Sequence, residues 1–108
     1  MPTVNVNNSW MALLTGAVAR RVTVTPYAIT ASDIVIMADS DGGDMVQNLP
    51  AGVNGKAYVI INTGSSGNTV TVNPNGAEFL QGVNAGKVLI DGESLSLVYE
   101  TTEGWWAT

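Results

Sequence analysis

The residues that could do chemistry are acidic and aromatic, because the 108-residue chain contains no Cys and no His. Without them there is no thiolate, no disulfide, no zinc-type ligand set and no imidazole base, so most nucleophilic and acid–base enzyme schemes lack their residues. Three carboxylates cluster as Asp39-x-Asp41-x-x-Asp44, which opens like a calcium loop because closely spaced carboxylates can wrap a hard cation. The pattern then breaks. An EF-hand loop needs Gly at its sixth position and Glu at its twelfth, where this chain has Asp44 and Pro50. The stretch reads as a solvated hairpin turn, and no metal or other cofactor is expected.

Carboxylate pairs such as Glu78 with Asp91, or Asp39 with Asp41, are of the kind glycoside hydrolysis uses across a cleft. Nothing around them marks them out, and so small a domain has little room for a substrate cleft, so no enzymatic activity is expected. Ser65-Ser66 lies in a Gly-rich stretch with neither the Lys of a phosphate loop nor a base, and reads as a flexible tip. Trp105-Trp106 and Tyr99 could stack on a sugar ring or pack against a partner. Neighbours on a strand point to opposite faces, so one Trp should enter the core and the other should face solvent, a ligand or a subunit.

The elements that must position these residues are short. From Arg20 onward, β-branched runs alternate with Gly, Asn, Asp and Pro, the pattern of many strands joined by tight turns. Arg21-Val22-Thr23-Val24-Thr25 alternates and stops at Pro26, predicting a half-buried strand. Ile34-Val35-Ile36-Met37 and Lys56-Ala57-Tyr58-Val59-Ile60-Ile61-Asn62 are apolar at consecutive positions, which predicts strands covered on both faces. Met45 to Leu49, Glu78 to Leu80, Lys87 to Ile90, Ser94 to Tyr99 and the Gly104 to Ala107 close are further strand candidates. In Thr69-Val70-Thr71-Val72-Asn73 the alternation puts Val70 and Val72 inward and both Thr outward. The expectation is an all-β, compact sandwich or barrel-like domain of short antiparallel strands over residues 22–108, preceded by an N-terminal arm at residues 1–21. Within the arm, Ser9 could cap a short helix over Trp10 to Ala19.

Charge narrows the partners. Four Lys and Arg against nine Asp and Glu give a net charge of -5, which repels a phosphate backbone, so nucleic acid is not expected to bind. No stretch reaches the ~20 apolar residues of a membrane span, and the run Trp10-Met11-Ala12-Leu13-Leu14 lacks the preceding basic residues of a signal peptide. The two doubly apolar runs are either buried within one two-layer sandwich or leave an apolar face that becomes an interface between copies. The second alternative predicts a homotrimer, with Val35, Met37, Tyr58, Trp105 and Trp106 as candidate subunit contacts. Trp10, Leu13, Leu14 and Val18, followed by Arg20 and Arg21, pair apolar anchors with the chain's only two Arg, which suits docking onto another protein.

One series of residues resembles a known family. Tyr27-x-Ile29-Thr30-x-x-Asp33-x-Val35-Ile36-Met37-x-Asp39 is followed by Leu49-Pro50 and by Gly55-Lys56-x-Tyr58-x-Ile60-x-Asn62. Val70-Thr71-Val72-x-x-x-Gly76, Gly92-x-Ser94-Leu95-x-Leu97-Val98-Tyr99 and Gly104-Trp105 complete it. The series resembles small β-rich domains of bacteriophage virion proteins, the tail-fibre and head-decoration modules, which are typically homotrimeric. The resemblance runs from Tyr27 to the end of the chain and implies a structural role in the virion, made in the host cytoplasm. With a short arm and no shaft, the chain is expected to be a capsid decoration, or cement, protein binding the capsid surface. The alternative is a tail-fibre or receptor- and glycan-binding module of a phage particle.

Overall fold

The computed structural model describes residues 18–108. Among them are nine strands and no α-helix. In chain order these are β1 (Ala19–Val22), β2 (Tyr27–Ala28), β3 (Val35–Ala38), β4 (Met45–Asn48), β5 (Ala57–Asn62), β6 (Val70–Asn73), β7 (Lys87–Leu89), β8 (Ser94–Glu100) and β9 (Gly104–Ala107). They form a five-stranded sheet in the order β1-β3-β5-β8-β9 and a four-stranded sheet in the order β2-β4-β6-β7.

Both sheets are mixed, which corrects the expectation of antiparallel strands throughout. The pairs β1-β3, β3-β5, β2-β4 and β4-β6 are parallel, whereas β5-β8, β8-β9 and β6-β7 are antiparallel. The cause is where each turn leads. From β1 to β6 every connection crosses to the opposite sheet, so each strand re-enters its own sheet two elements later, running the same way. Parallel pairs need a crossover; here a strand of the other sheet serves as that crossover. Only after β6 do consecutive strands pair with each other.

The first strand also ends earlier than the alternation predicts. β1 stops at Val22, whose carbonyl accepts the Asp39 amide at 2.9 Å, and Val24 is exposed. The following residues carry the chain between layers, where Thr25 Oγ1 accepts the Val46 amide of β4 at 2.9 Å. A domain boundary after Arg21 therefore falls inside β1. The expected helix over Trp10 to Ala19 lies outside the described residues except at its end, where Val18 has no regular structure and Ala19 begins β1. Of the expected strand at Glu78 to Leu80, only single bridges at Leu80 form.

The two sheets meet through one apolar cluster. Val22, Ile36, Ala38, Tyr58, Ile60, Leu95, Leu97 and Trp105 come from the five-stranded sheet, and Met45, Val70, Val72 and Leu89 from the four-stranded one. Val70 and Val72 point inward with Thr71 between them only half-buried, as the period of two requires. Tyr58 and Tyr99 pack around Trp105, with ring centroids 5.6 and 5.0 Å from it. Rings of this size bury a large apolar area where they meet.

Candidate functional site

The acidic groups come first because they carried the catalytic and metal readings. Asp39 Oδ2 accepts Arg21 at 2.6 Å and its Oδ1 accepts the Asp41 amide at 3.0 Å. Asp41 Oδ1 accepts the Ser65 amide at 2.7 Å and the Ser66 hydroxyl at 2.9 Å, and these bonds lower the Asp41 pKa. Asp44 accepts the Thr69 amide at 2.9 Å, and Asp91 accepts the Gly67 amide at 3.0 Å. Asp41 ties the residue 39–44 turn to the residue 64–68 loop, Asp44 ties it to Thr69, and Asp91 holds the same loop from its other side. These carboxylates accept from backbone amides, the Ser66 hydroxyl and Arg21, and Asp41 and Asp44 face solvent. Beside the turn lies an open cleft of about 170 Å³ lined by Thr23, Thr25, Asp39, Asp44 and Met45. That is below the ~300 Å³ at which ligand pockets begin.

Beneath the same loops sits a buried polar knot. The Asn62 side-chain oxygen accepts the Ser40 hydroxyl at 2.7 Å and the Gly64 amide at 2.9 Å, while its Nδ2 donates to the Asn68 and Leu89 carbonyls. Gly64 is required there, since a Cβ would collide with Ser40 Oγ. Glu78, the other carboxylate of the suggested hydrolytic pair, binds the Gly52 amide at 2.9 Å and the Trp105 indole nitrogen at 3.3 Å. Glu78 and Asp91 therefore hold different loops, and each has a structural partner.

Asp33 is the most committed carboxylate. It is buried, and it accepts Arg20 Nε at 2.7 Å, the Tyr27 hydroxyl at 2.8 Å and the Thr30 amide at 2.9 Å. Burial opposes its charge, but the Thr30, Tyr27 and Arg20 hydrogen bonds together hold its pKa below the usual carboxylate value. Burial and the bond to Asp33 push the Tyr27 hydroxyl up. Because Arg20 lies on β1 and Tyr27 on β2, this one side chain joins the two sheets.

The docking residues named from sequence divide accordingly. Trp10, Leu13 and Leu14 lie outside the described residues. Val18 is exposed just before β1, Arg20 is held by Asp33, and Arg21 by Asp39. Both Arg belong to a strand of the sheet, so they do not extend an arm.

The five subunit-contact candidates divide as well. Tyr58 and Trp105 are 1% and 0% exposed inside the chain's own core, so their side chains cannot reach another subunit, and that part of the expectation is corrected. Their inward side follows from register, since Tyr58 pairs with Leu97, and Trp105 with Tyr99. Val35, Met37 and Trp106 share the opposite, outward face of the five-stranded sheet. Trp106 is 42% and Met37 37% exposed. The two adjacent Trp thus go one in and one out, as the strand period demands.

Three apolar residues on that face were not singled out from sequence. Val59 pairs with Val35, Ile61 with Met37, and Val98 with both Ala57 and Trp106, so the rows run Val35–Val59–Ser96, Arg21–Met37–Ile61–Ser94 and Ala57–Val98–Trp106. Of Val35, Met37, Val59, Ile61, Val98 and Trp106, Val59 is itself buried, Val35, Ile61 and Val98 are half-buried, and only Met37 and Trp106 stand exposed. The signal available in sequence was the doubly apolar β5 run, but a run apolar on both faces does not say which half turns outward. The four-stranded sheet differs, because its outward rows contain Asn48 beside Asn73 and Thr71 between Val46 and Val88. No family model matches this chain, and no curated protein matches its sequence.

Proposed function

We propose that the protein is a non-enzymatic structural protein of a bacteriophage virion, a decoration protein that binds the capsid surface as a homotrimer. The observation that carries this reading is the outward side of the five-stranded sheet, where Met37 and Trp106 are exposed beside half-buried Val35, Ile61 and Val98, on a chain whose clustered carboxylates hold its own loops. The resemblance over residues 27–108 to phage head-decoration and fibre modules supplies the setting. Attachment to the capsid is assigned to Trp10, Leu13 and Leu14, apolar anchors placed ahead of β1 in an otherwise acidic chain.

The test mixes the purified chain with capsids lacking it and images them. Regular density at symmetric capsid positions is the expected result. A chain truncated to begin at Val18, and thus retaining β1, should keep its fold and lose that density. Unchanged binding by the truncated chain would move the attachment surface elsewhere, and absence of binding by the full chain would refute the decoration role. The exposed Trp106 ring, which lies over Gly82, favours a glycan-binding fibre module as the second reading. Binding to a host glycan with no affinity for capsids would select it.

A further inference from the structure

We propose that Asn75 is a self-modification site, at which the side-chain amide is displaced by the neighbouring Gly76 backbone nitrogen and a new carboxylate results. Asn is among the thermolabile residues, and this reaction is least hindered when Gly follows, because no side chain then shields the attacking nitrogen. The chain has two such pairs, Asn54-Gly55 and Asn75-Gly76. Every other Asn of the described residues precedes a residue with a side chain, as Asn62 precedes Thr63, or, at Asn73, a Pro that has no N–H.

The two pairs look alike in sequence and differ in what holds them. Both are exposed, and in both the Gly takes a positive φ, 83° at Gly55 and 53° at Gly76, as Gly does readily. At the first pair the nucleophile is engaged, since the Gly55 amide donates to the Tyr99 carbonyl at 2.8 Å. Its electrophile is engaged too: Asn54 Oδ1 accepts the Thr101 amide at 3.2 Å and the Thr101 hydroxyl at 3.4 Å. At the second pair, the Asn75 carbonyl accepts the Glu78 amide at 2.9 Å and closes the turn. Asn84 Nδ2 grips that turn through the carbonyls of Gly76 at 2.9 Å and Glu78 at 2.6 Å. Among the described residues, the Gly76 N–H and the Asn75 side-chain amide have no hydrogen-bond partner. The reacting groups are thus tied down at Asn54 and free to meet at Asn75.

The reaction balances with water alone. Solvent hydroxide takes the Gly76 N–H proton, the nitrogen electron pair forms a bond to Asn75 Cγ, and the Cγ–Nδ2 bond breaks, Nδ2 leaving as ammonia with a proton from water. Water then opens the cyclic imide at either carbonyl. Opening at Cγ leaves an Asp side chain; opening at the backbone carbonyl leaves an isoaspartyl link, with the main chain running through Cγ and one carbon longer. Either product adds one negative charge to the net of -5. The isoaspartyl form also lengthens the turn that Asn84 holds.

The experiment ages the full chain in mildly alkaline buffer, native and in urea, and follows both sites by peptide mass and by enzymatic methylation of isoaspartate. For Asn54 to react, its bonds to Thr101 and the Gly55–Tyr99 bond must first open, so in the native chain Asn75 should convert at least about tenfold faster. A more acidic species should grow at the same rate on ion exchange. In urea the gap should close, because the two pairs then differ only in their flanking residues. Asn75→Gln, whose longer side chain forms its ring far more slowly, should remove the acidic species from the native sample. Equal native rates at the two sites, or a native Asn75 as inert as Asn54, overturn the proposal. A gap that persists in urea overturns it too, since the preference would then lie in neighbours such as Pro74 and not in the fold.

Discussion

Replacing Asp33 by Ala should destabilise the protein by about 3 kcal/mol. The carboxylate accepts hydrogen bonds from Tyr27 and the Thr30 amide at 2.8 and 2.9 Å, and bonds to a charged acceptor contribute about 1.5–3 kcal/mol each. The lower end applies because Tyr27 is half-buried and its hydroxyl can recover some water in the variant. The Arg20 contact is left out of the sum, since its guanidinium stands in solvent, where such pairs contribute little. For a chain of this length, about 3 kcal/mol corresponds to a fall in melting temperature of about 10–15 °C. Thermal and urea unfolding followed by Trp fluorescence would measure it. Arg20→Gln should leave the melting temperature nearly unchanged, which separates the buried acceptor from its exposed partner. A loss below about 1 kcal/mol for Asp33→Ala would refute the view that this carboxylate anchors Tyr27 and the residue 30–33 turn.

Gln47 is fully buried and, among the described residues, both its side-chain polar atoms lack a partner, so Gln47→Met, which keeps volume and removes those atoms, should stabilise by about 1–2 kcal/mol in urea unfolding. A loss of stability would show that Gln47 has a partner, such as a buried water. Asp33 and Asp41 both have pKa values lowered by folding, so the unfolded chain binds more protons in acid. Their stabilisation is complete above the unfolded value of about 3.9 and lost as pH falls below it; the melting temperature should be flat from pH 8 to 5, drop below about pH 4, and drop less steeply in Asp33→Ala. Because Asp39, Asp41 and Asp44 each already hold Arg21 or a loop donor, a chelator should leave the melting temperature unchanged. A fall reversed by calcium would assign the turn to metal binding.

How legible this protein was depends on whether a feature is local. Strand existence was readable wherever β-branched runs were bounded by Gly, Asn or Pro, as in β4, β5, β6 and β8, because backbone sterics and turn chemistry act over a few residues. The opposite fates of Trp105 and Trp106 followed from the strand period alone. The three-carboxylate turn was also readable as a turn, since its departure from a metal loop lies in Asp44 and Pro50 themselves.

Strand direction was not readable, because a turn of a few residues can lead back along its own sheet or across to the opposite one, and long-range packing chooses between them. The same limit hid the role of Arg20 and Arg21: they read as basic residues of an arm until β1 was seen to pair with β3, which places Asp33 and Asp39 within reach. Tyr58 and Trp105 looked equally fit for an interface or a core until register put them against Leu97 and Tyr99. Composition and local pattern determined that this chain forms short strands with few reactive groups. Which half of each apolar strand faces inward is a property of two sheets packing together, and only the tertiary structure decided it.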